Sequence, residues 1–363
     1  MIDPGTISAR VLAAGRSPLA AILEKSLSTD PSTAATPDAS LFAVSGGGDS
    51  LPMLWLGAAI SQRSCLHRVV IAHVNHGLRP ESVLEASMVE AHARAVGLEC
   101  VVAEVDCGGA GNRAAIARRR REEALVEVAR RTSCGRIVTA HHADDQLETV
   151  IAAIARGAGP RGWRGIHRTR DLGGGIHLVR PFLGVPRESL RELGRRLGLE
   201  PAEDPGNEDP RRLRGRLRRG VCRELESIFP GANRRVAAAA DHAELAEQAI
   251  DRWLDEVWGD GARRSWCRER LRDLPPLLVA AGLRRALLFE APELADRLTE
   301  ASCRRVAEAV GDMDRSPRLW TWPGGVRVEL TSSSLTVQPA SSRGVRTSDP
   351  DRTRSPRASS PRR

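Results

Sequence analysis

The sequence contains almost no lysine, lacks tyrosine altogether and has few aromatic residues. The scarcity of lysine restricts how the protein can bind a nucleotide. Lys25 is the single lysine among 55 lysine and arginine residues, and aromatic residues make up 3% of the chain. A P-loop of the G-x-x-x-x-G-K-[ST] type needs a lysine beside its glycines, so that type of site is excluded. The formal net charge of +9 comes almost entirely from arginine, whose planar fork suits phosphate and nucleic acid. A GC-rich genome also produces an arginine excess, so the position of the arginines matters more than their sum.

Paired cysteines and long apolar runs are also missing. The seven cysteines are scattered and include no C-x-x-C pair, which argues against a disulfide framework and against a zinc or iron–sulfur site. No apolar run reaches the length that spans a bilayer, and the N-terminus lacks the charged start and apolar core of a signal peptide. We therefore expect a cytoplasmic protein with no membrane partner. The 363 residues are enough for two domains.

Short apolar runs alternate with helical patterns from Leu41 to about Gly184. Strands are predicted at Leu41–Val44, Arg68–Val74, Glu99–Val105 and Arg136–Ala140, and helices at Leu51–Ser61, Ser82–Val96 and Arg113–Arg131. Such repeated β-α units predict an α/β fold with a parallel, Rossmann-like sheet and helices on both faces. Ligands bind at the carboxyl ends of the strands in sheets of this kind, so residues 45–50, 73–79 and 141–148 are expected at one edge.

Composition divides the chain into four parts. Residues 1–37 are an extension with one helix at Leu19–Leu27 and a Ser/Thr/Pro/Ala-rich linker, and we expect this extension to pack weakly. Residues 38–222 form the α/β domain, residues 223–339 a smaller, mainly helical domain, and residues 340–363 a basic tail predicted to be disordered. The helical domain is predicted to contain helices at Arg235–Glu256, Pro275–Phe289 and Glu300–Gly311, and strands at Arg318–Trp322, Val326–Leu330 and Ser334–Val337.

A glycine-rich hexapeptide, Ser45-Gly46-Gly47-Gly48-Asp49-Ser50, joins the first predicted strand to the first helix of the sheet region. Unpaired backbone N–H groups and the positive helix end favour a polyphosphate there, and glycines let the backbone approach it closely. Asp49 adds a carboxylate that a bridging divalent cation would explain. Because this carboxylate would contribute little to the core, Asp49→Ala is expected to leave thermal stability scarcely changed. The hexapeptide resembles the S-G-G-x-D-S signature of the PP-loop ATP pyrophosphatases, which split ATP between its α and β phosphates and transfer AMP to an oxygen.

Two further strand ends carry polar residues. The segment His73-Val74-Asn75-His76-Gly77-Leu78-Arg79 ends the second strand, where His73 and Asn75 share a face. The segment from His141 to Thr149, H-H-A-D-D-Q-L-E-T, ends the fourth strand, and Asp145 and Glu148 share a face at the positive end of the next helix. These two carboxylates can hold Mg²⁺ or an amine; the alternative is helix capping by Asp144 or Asp145. The adjacent His141 and His142 face opposite ways in an extended segment, which argues against a shared metal.

Both segments resemble signatures of the tRNA(Ile)-lysidine synthetase family, and the resemblance extends roughly from Leu41 to Arg219. Further matching segments follow in order: Asn112 with Arg118 and Arg121, residues 156–166, Arg180-Pro181-Phe182-Leu183, and Glu203–Asn207 with the arginines after it. The chain departs from the family pattern at Glu122, where an aromatic residue is expected, at Trp163 and Ile166, and at Gly206, which replaces a serine.

The resemblance implies an ATP-dependent carbon–nitrogen ligase that adenylates the wobble cytidine of the minor isoleucine tRNA with a CAU anticodon. Free L-lysine is then joined to carbon 2 of the base, giving lysidine, AMP and pyrophosphate. The cofactors implied are ATP and Mg²⁺. By the same resemblance, catalysis falls to Asp49, Asp145 and Glu148, the metal to Asp49 and Asp145, and ATP to Ser45, Gly46, Gly47, Gly48, Asp49, Ser50, His73 and Asn75. Contacts to tRNA fall to Arg118, Arg121, Arg180, Asn207, Arg214, Arg216 and Arg218.

Several alternatives stay open at this level. A sulfur-inserting relative that acts on tRNA cytidine shares the glycine-rich signature, but it would need the cysteine pair that this chain lacks. A non-catalytic RNA-binding relative would not need Asp49, Asp145 and Glu148 to be intact. The arginines from Arg211 to Arg219 would position tRNA phosphates or, alternatively, form a solvated helix face. The sequence does not show which group deprotonates the lysine amine, how the isoleucine and methionine tRNAs are told apart, or whether a homodimer forms.

Overall fold

The computed structural model describes residues 4–28, 39–63, 67–75, 81–105, 113–202, 213–259, 263–294, 298–323 and 325–339. The chain forms two compact units, Met1–Glu247 and Gln248–Arg363. The sequence suggests a boundary after residue 222, whereas the first unit continues into the long helix Ala232–Trp258. Within the described residues, no helix is both long and apolar enough to cross a membrane.

A six-stranded sheet forms the centre of the first unit. Its strands are β1 (Ala39–Ala43), β2 (Arg68–Asn75), β3 (Glu99–Glu104), β4 (Arg136–Val138), β5 (Thr169–Asp171) and β6 (His177–Val179). Their order across the sheet is β3-β2-β1-β4-β6-β5. All neighbouring pairs are parallel except β5 and β6, which form an antiparallel edge. The predicted parallel sheet is therefore confirmed, and the short strands β5 and β6 are additions that the sequence did not indicate.

The helices connect these strands and cover both faces of the sheet. They are α1 (Pro4–Gly15), α2 (Pro18–Ser28), α3 (Ser50–Arg63), α4 (Glu81–Ala95), α5 (Arg113–Arg131), α6 (Ala143–Ala155), α7 (Pro160–Trp163), α8 (Arg187–Arg196), α9 (Leu213–Leu217), a π-helix (Arg218–Cys222), α10 (Arg223–Ile228) and α11 (Ala232–Trp258). The three helices predicted between the first four strands correspond to α3, α4 and α5.

Successive residues of the central strand β1 pack into two different cores, one on each face of the sheet. Phe42 packs with the side chains of α3 in one apolar cluster, and Leu41 packs with residues of α5 in another. This alternation is the expected consequence of the two-residue period of a strand. A Cβ on Gly57 of α3 would lie 2.8 Å from the ring of Phe42, so α3 approaches the strand closely because this position is glycine. The sheet thus fixes the position of the loop that joins β1 to α3.

The N-terminal extension packs firmly, and the expectation of weak packing was wrong. Val11, Ala14 and Leu23 are buried in the same cluster as the apolar side chains of α3. Arg63 of α3 also donates a 2.9 Å hydrogen bond to the carbonyl of Gly15. The apolar face of α1 supplies a second layer over α3.

The second unit combines helices with a four-stranded antiparallel sheet. Its elements are β7 (Ser265–Cys267), α12 (Arg268–Arg272), α13 (Pro276–Glu290), a 3₁₀ turn (Pro292–Leu294), α14 (Glu300–Gly311), β8 (Arg318–Thr321), β9 (Arg327–Leu330) and β10 (Ser334–Gln338). The strand order is β7-β10-β9-β8. The predicted helices and the three strands near residues 318–338 are confirmed, and β7 was not predicted. A Cβ on Gly282 would lie 2.1 Å from the Trp258 ring, so glycine is required where α13 meets this side chain.

Arg268 is a buried cation that holds the second unit together through backbone carbonyls. Its side chain is 4% exposed and donates to the carbonyls of Ala309, Val310, Asp312, Asp314 and Thr331 at 2.9–3.2 Å. Carbonyls at the end of a helix lack intrahelical partners and carry partial negative charge. The guanidinium therefore caps the end of α14 and joins it to the turn after β9.

Candidate active site

The glycine-rich hexapeptide forms a tight loop at the carboxyl end of β1. The Ser45 backbone N–H donates to Ser50 Oγ at 3.1 Å, and the N–H groups of Ser50 and Leu51 both donate to the Gly47 carbonyl. Gly46 has a φ of +87° and a Cβ there would lie 2.8 Å from Met88 Cε, so a side chain is excluded at this position. The loop therefore presents its backbone directly to the space in front of it.

A cavity of about 740 Å³ opens at this loop. It is lined by Ser45, Gly47, Gly48, Asp49 and Ser50 of the loop, by Thr139, His141, His142 and Asp145 after β4, and by five arginines, namely Arg121, Arg187, Arg191, Arg195 and Arg218. Two of the three strand ends expected at one edge, those of β1 and β4, thus meet here. Positive side chains outnumber carboxylates on the cavity wall, which suits an anionic ligand.

Asp49 is held as a carboxylate by two neighbouring side chains. Arg187 Nε donates to both carboxylate oxygens at 3.2 and 3.3 Å, and His142 Nε2 lies 3.6 Å from Oδ2. Burial alone would raise the pKa of Asp49, but hydrogen bonding to His142 and the positive charge of Arg187 outweigh it and lower the pKa to about 2. The group is therefore ionised at neutral pH and faces the cavity.

His142 connects Asp49 to the start of α6. As the N-cap residue, it accepts at Nδ1 from the Asp145 backbone N–H, while its own N–H donates to Asp145 Oδ2 at 3.1 Å. The cap predicted for Asp144 or Asp145 is thus a reciprocal pair of His142 and Asp145. Burial opposes the charged imidazole, yet the hydrogen bond to Asp49 and the nearby Asp145 and Asp144 raise the pKa of His142. From the sequence, His142 is considered only together with His141, as a possible metal ligand, and no role is predicted for it.

Glu148 lies behind Asp145 and is paired with Arg218. Arg218 Nε donates to Glu148 Oε1 at 2.6 Å, and Arg218 Nη2 lies 3.7 Å from Asp145 Oδ1. Glu148 is 2% exposed, its Oε2 has no hydrogen-bond partner, and burial raises its pKa in spite of Arg218. The sequence assigns Arg218 to tRNA phosphates together with Arg214 and Arg216. The structure instead places Arg218 between the two carboxylates, because the π-helix that follows α9 directs it toward α6.

The histidine and asparagine at the end of β2 are buried. His73 Nδ1 donates to the Val44 carbonyl at 2.9 Å, and burial lowers the pKa of this imidazole. Neither His73 nor Asn75 is among the described residues that line the cavity. The hydrogen bond of His73 holds the end of β1 against β2, and His76 lies outside the described residues.

Other arginines assigned to tRNA form a group of like charges. Burial and the charges of Arg170 and Arg118 lower the pKa of Arg180 to about 10, and Arg180 Nη1 donates to the His167 carbonyl at 2.7 Å. Burial, Arg214 and Arg170 likewise lower the pKa of Arg118. Several positive charges therefore repel one another here, and an anion would relieve that repulsion. Arg214 and Arg216 are exposed, and Asn207 lies outside the described residues.

The arginines of α8 are cavity residues that sequence reasoning missed. Arg187, Arg191 and Arg195 recur every four residues directly after the R-P-F-L segment, and this spacing places them on one side of a helix. The four-residue spacing of these arginines is visible in the sequence, but by itself it indicates only an amphipathic helix. Which side of the helix faces the cavity depends on the fold.

Four of the described cysteines have a thiol whose pKa lies above its usual value. Burial raises the pKa of Cys100, Cys222 and Cys303 to about 11 and also raises that of Cys134. Protonated thiols are poor nucleophiles and poor metal ligands. Among the described residues, no group of three or more His, Cys, Asp or Glu side chains is arranged to hold a metal ion by itself.

The sequence is similar to a known family over most of its length. Residues 19–225 match the family described as PP-loop domain. The chain is 37% identical over 302 residues to the tRNA(Ile)-lysidine synthase of Salinispora tropica, covering 82% of this chain and 90% of the relative. It is 38% identical over 317 residues to the enzyme of the same name from Salinispora arenicola, covering 83% and 91%. With the Novosphingobium aromaticivorans relative of that name, 37% identity extends over 220 residues, or 60% of this chain and 65% of the relative.

A solved structure shares the fold over part of the chain. The U34-tRNA thiolase NcsA from Methanococcus maripaludis superposes with a TM-score of 0.52 over 62% of this chain and 77% of its own. Sequence identity is 16%, so the likeness concerns the fold alone. Together with the family match, it confirms the predicted PP-loop α/β architecture.

Proposed function

Because this chain belongs to the tRNA(Ile)-lysidine synthase family and carries its PP-loop domain, we propose that it joins free L-lysine to the wobble cytidine of an isoleucine tRNA with a CAU anticodon, using ATP. The observation that carries this proposal is a cavity in which the glycine-rich loop, the ionised Asp49 and the pair Asp145–Arg218 come together. These groups are what an adenylation followed by an amine displacement would use.

In the first step, the oxygen on carbon 2 of cytosine attacks the α-phosphorus of ATP. The bond between the α-phosphorus and its bridging oxygen breaks, and pyrophosphate leaves with the electron pair. The backbone of residues 46–49 before the N-terminus of α3 offers N–H groups, and the helix end offers partial positive charge, to the phosphates. Preorganised donors of this kind stabilise charge as it develops and are usually the largest catalytic contribution.

In the second step, the lysine amine attacks carbon 2 of the adenylated base. The bond between carbon 2 and oxygen breaks, AMP leaves with that oxygen, and the amine loses a proton. The urea-like oxygen of cytosine is a poor leaving group, so adenylation supplies the one that the amine can displace. Asp145 at the cavity wall supports a role in orienting the lysine ammonium. Glu148 accepts a hydrogen bond from Arg218 and supports this role of Asp145 through that arginine. The second carboxylate oxygen of Glu148, Oε2, has no hydrogen-bond partner.

Magnesium fits the donors of the cavity. Mg²⁺ is commonly bound by one or two carboxylates together with phosphate oxygens and water, and bound Mg²⁺ neutralises charge on the departing pyrophosphate. Asp49 is ionised, 26% exposed and adjacent to the glycine-rich loop, and Asp145 lines the same cavity. We therefore assign the metal to Asp49, while Asp145 keeps the role of orienting the lysine ammonium. Arg187 and His142 keep the Asp49 carboxylate in place.

The tRNA is proposed to approach over a group of arginines of which Arg121 lines the cavity. Burial and the charge of Arg118 lower the pKa of both Arg121 and Arg180, and Arg214 adds its positive charge beside Arg118. Phosphate contacts of this kind position an RNA without reading its sequence, and the target cytidine must be splayed out to enter a cavity. Arg216 is exposed on the same α9 turn and is grouped with Arg214 for phosphate contact.

The test combines purified protein, radiolabelled lysine, ATP and an isoleucine tRNA transcript with a CAU anticodon. Lysine should enter the tRNA, and AMP and pyrophosphate should appear in equal amounts without any sulfur donor or iron. The Asp49→Asn variant should lose both products, while Glu200→Gln, which changes an exposed carboxyl in the same unit, should retain them. Wild-type protein that consumes ATP with this tRNA but incorporates no lysine would remove the proposal.

The same assay separates the proposed ligase from a sulfur-inserting enzyme. Single Ser variants at Cys100, Cys134, Cys222 and Cys303 should each leave lysine incorporation largely unchanged, because their thiols are protonated. Sulfur incorporation from a persulfide donor, abolished by any one of these substitutions, would favour the thiolase-like reaction instead.

A further inference from the structure

One side of α8 carries a row of arginines into the cavity. Arg187, Arg191 and Arg195 are spaced one turn apart and all three line the cavity together with the glycine-rich loop. The other side of the helix is anchored in the core by Leu190 and Leu193. The row is therefore fixed by packing that does not involve its charged ends.

The middle arginine of this row lies directly against the loop. A Cβ on Gly48 would lie 3.9 Å from both Cγ and Nε of Arg191, so this side chain crosses the glycine at contact distance. The close approach has a local cause, because a Cβ on Gly194 would lie only 3.2 Å from Pro52 at the start of α3. Glycine at position 194 thus lets α8 pack close to the start of α3, the helix that follows the glycine-rich loop.

The charges of the row are unevenly offset. Arg187 is bonded to Asp49, and Arg195 is paired with Glu188 and, at 2.5 Å, with Glu192. Arg191 Nε is 3.8 Å from Asp49 Oδ1, an oxygen that already accepts from Arg187 at 3.2 Å. The positive charge of Arg191 is therefore the least compensated of the three, and it lies next to the loop.

We propose that Arg191, supported by Arg187 and Arg195, binds the β- and γ-phosphates of ATP and retains pyrophosphate as it leaves. This assignment rests on the proposed ATP-dependent function and adds the site of its leaving group. When the bond at the α-phosphorus breaks, the electron pair moves to the bridging oxygen of pyrophosphate, and a guanidinium beside Gly48 neutralises that charge. An arginine can do so with two parallel N–H···O bonds. In a chain whose single lysine is Lys25, arginine is the cation available at this place.

Binding of inorganic pyrophosphate and of AMP, measured by titration calorimetry on the full chain without tRNA, tests this assignment. The variants are Arg191→Ala, Arg191→Lys and, as the matched control, Arg196→Ala. Arg196 is on the same helix but 72% exposed and paired with Glu192 at 2.8 Å, away from the cavity lining. Circular dichroism melting of each variant shows whether α8 remains folded.

The expected result is a pyrophosphate affinity about tenfold or more weaker in Arg191→Ala, as for removal of a charge-assisted hydrogen bond, with AMP affinity unchanged. Arg191→Lys should recover part of the affinity, and Arg196→Ala should match the wild type. Equal pyrophosphate affinity in Arg191→Ala and wild type overturns the assignment, as does a wild type that binds AMP but no pyrophosphate. If the pyrophosphate effect is found but the wild type incorporates no lysine into tRNA, this assignment stands and the proposed ligase reaction falls.

Discussion

Asp49→Asn should weaken the folded state measurably, because Arg187 and His142 hold the carboxylate of Asp49 in its ionised form. The pKa of Asp49 is lowered from 3.8 to about 2. One pKa unit corresponds to about 1.4 kcal/mol, so the native environment favours the ionised group by roughly 2 kcal/mol. For a unit of this size, a decrease of that magnitude lowers the melting temperature by roughly 4–8 °C. The sequence-based expectation for Asp49→Ala is that thermal stability scarcely changes, and the measured melting temperature decides between the two predictions.

The pH dependence follows from the sign of the shift. A lowered native pKa stabilises the fold above the unfolded value and loses that contribution as the pH falls toward about 2. Urea unfolding of wild type and Asp49→Asn should therefore differ at neutral pH and converge between about pH 4 and pH 2. Glu200→Gln, which alters an exposed carboxyl, should change the unfolding free energy by less than about 0.5 kcal/mol throughout. Coincident curves for wild type and Asp49→Asn at neutral pH would refute the reasoning.

Three further predictions concern arginines with different surroundings. Arg218→Ala should lower the free energy of unfolding, measured in urea, by about 3 kcal/mol, because it leaves the buried Glu148 carboxylate unpaired. Adding Glu148→Gln to this variant should recover part of the lost stability. If it recovers none, the loss comes from packing rather than from the unpaired charge. Arg268→Met should lower the unfolding free energy of the second unit by at least about 3 kcal/mol in the same measurement. Arg270→Met, on the exposed side of α12, should not lower it. If Arg268→Met is as stable as the wild type, the carbonyls have found other donors. Replacing Arg214 and Arg216 together by Ala should flatten the dependence of log tRNA affinity on log salt by about 0.7–0.9 for each phosphate that is no longer neutralised, and an unchanged slope would identify them as a solvated face.

The sequence predicts those parts of this protein that depend on local pattern. Strands β1 to β4 and helices α3 to α5 follow from the alternation of apolar runs and helical periods, and the loop at the carboxyl end of β1 follows from the glycine-rich hexapeptide. Short elements that owe their existence to a neighbour were missed. Strand β6, for example, has three residues and is defined by its pairing with β4.

The candidate site was predicted only where residues adjacent in sequence act together. The loop and Asp145 follow from their own motifs, and the cavity contains both. Arg187, 138 residues after Asp49, could be connected to it only through the fold. In the same way, the role of Arg218 depends on its distance to Glu148, and a run of arginines in a sequence gives no indication of which member turns inward. Long-range ion pairs are thus the part of the site that the sequence leaves open.

The packing of α1 and α2 on α3 has a consequence for how the chain can be shortened and for the order in which it folds. A fragment that began at β1 would expose the apolar surface of α3 that Val11, Ala14 and Leu23 now cover, and we expect such a fragment to aggregate. During synthesis, α1 leaves the ribosome before its partner helix exists, and a helix of 12 residues is marginal alone in water. Helices α1 and α2 therefore become stable only after α3 has been made, so they reach their final packing later than their place in the chain would suggest.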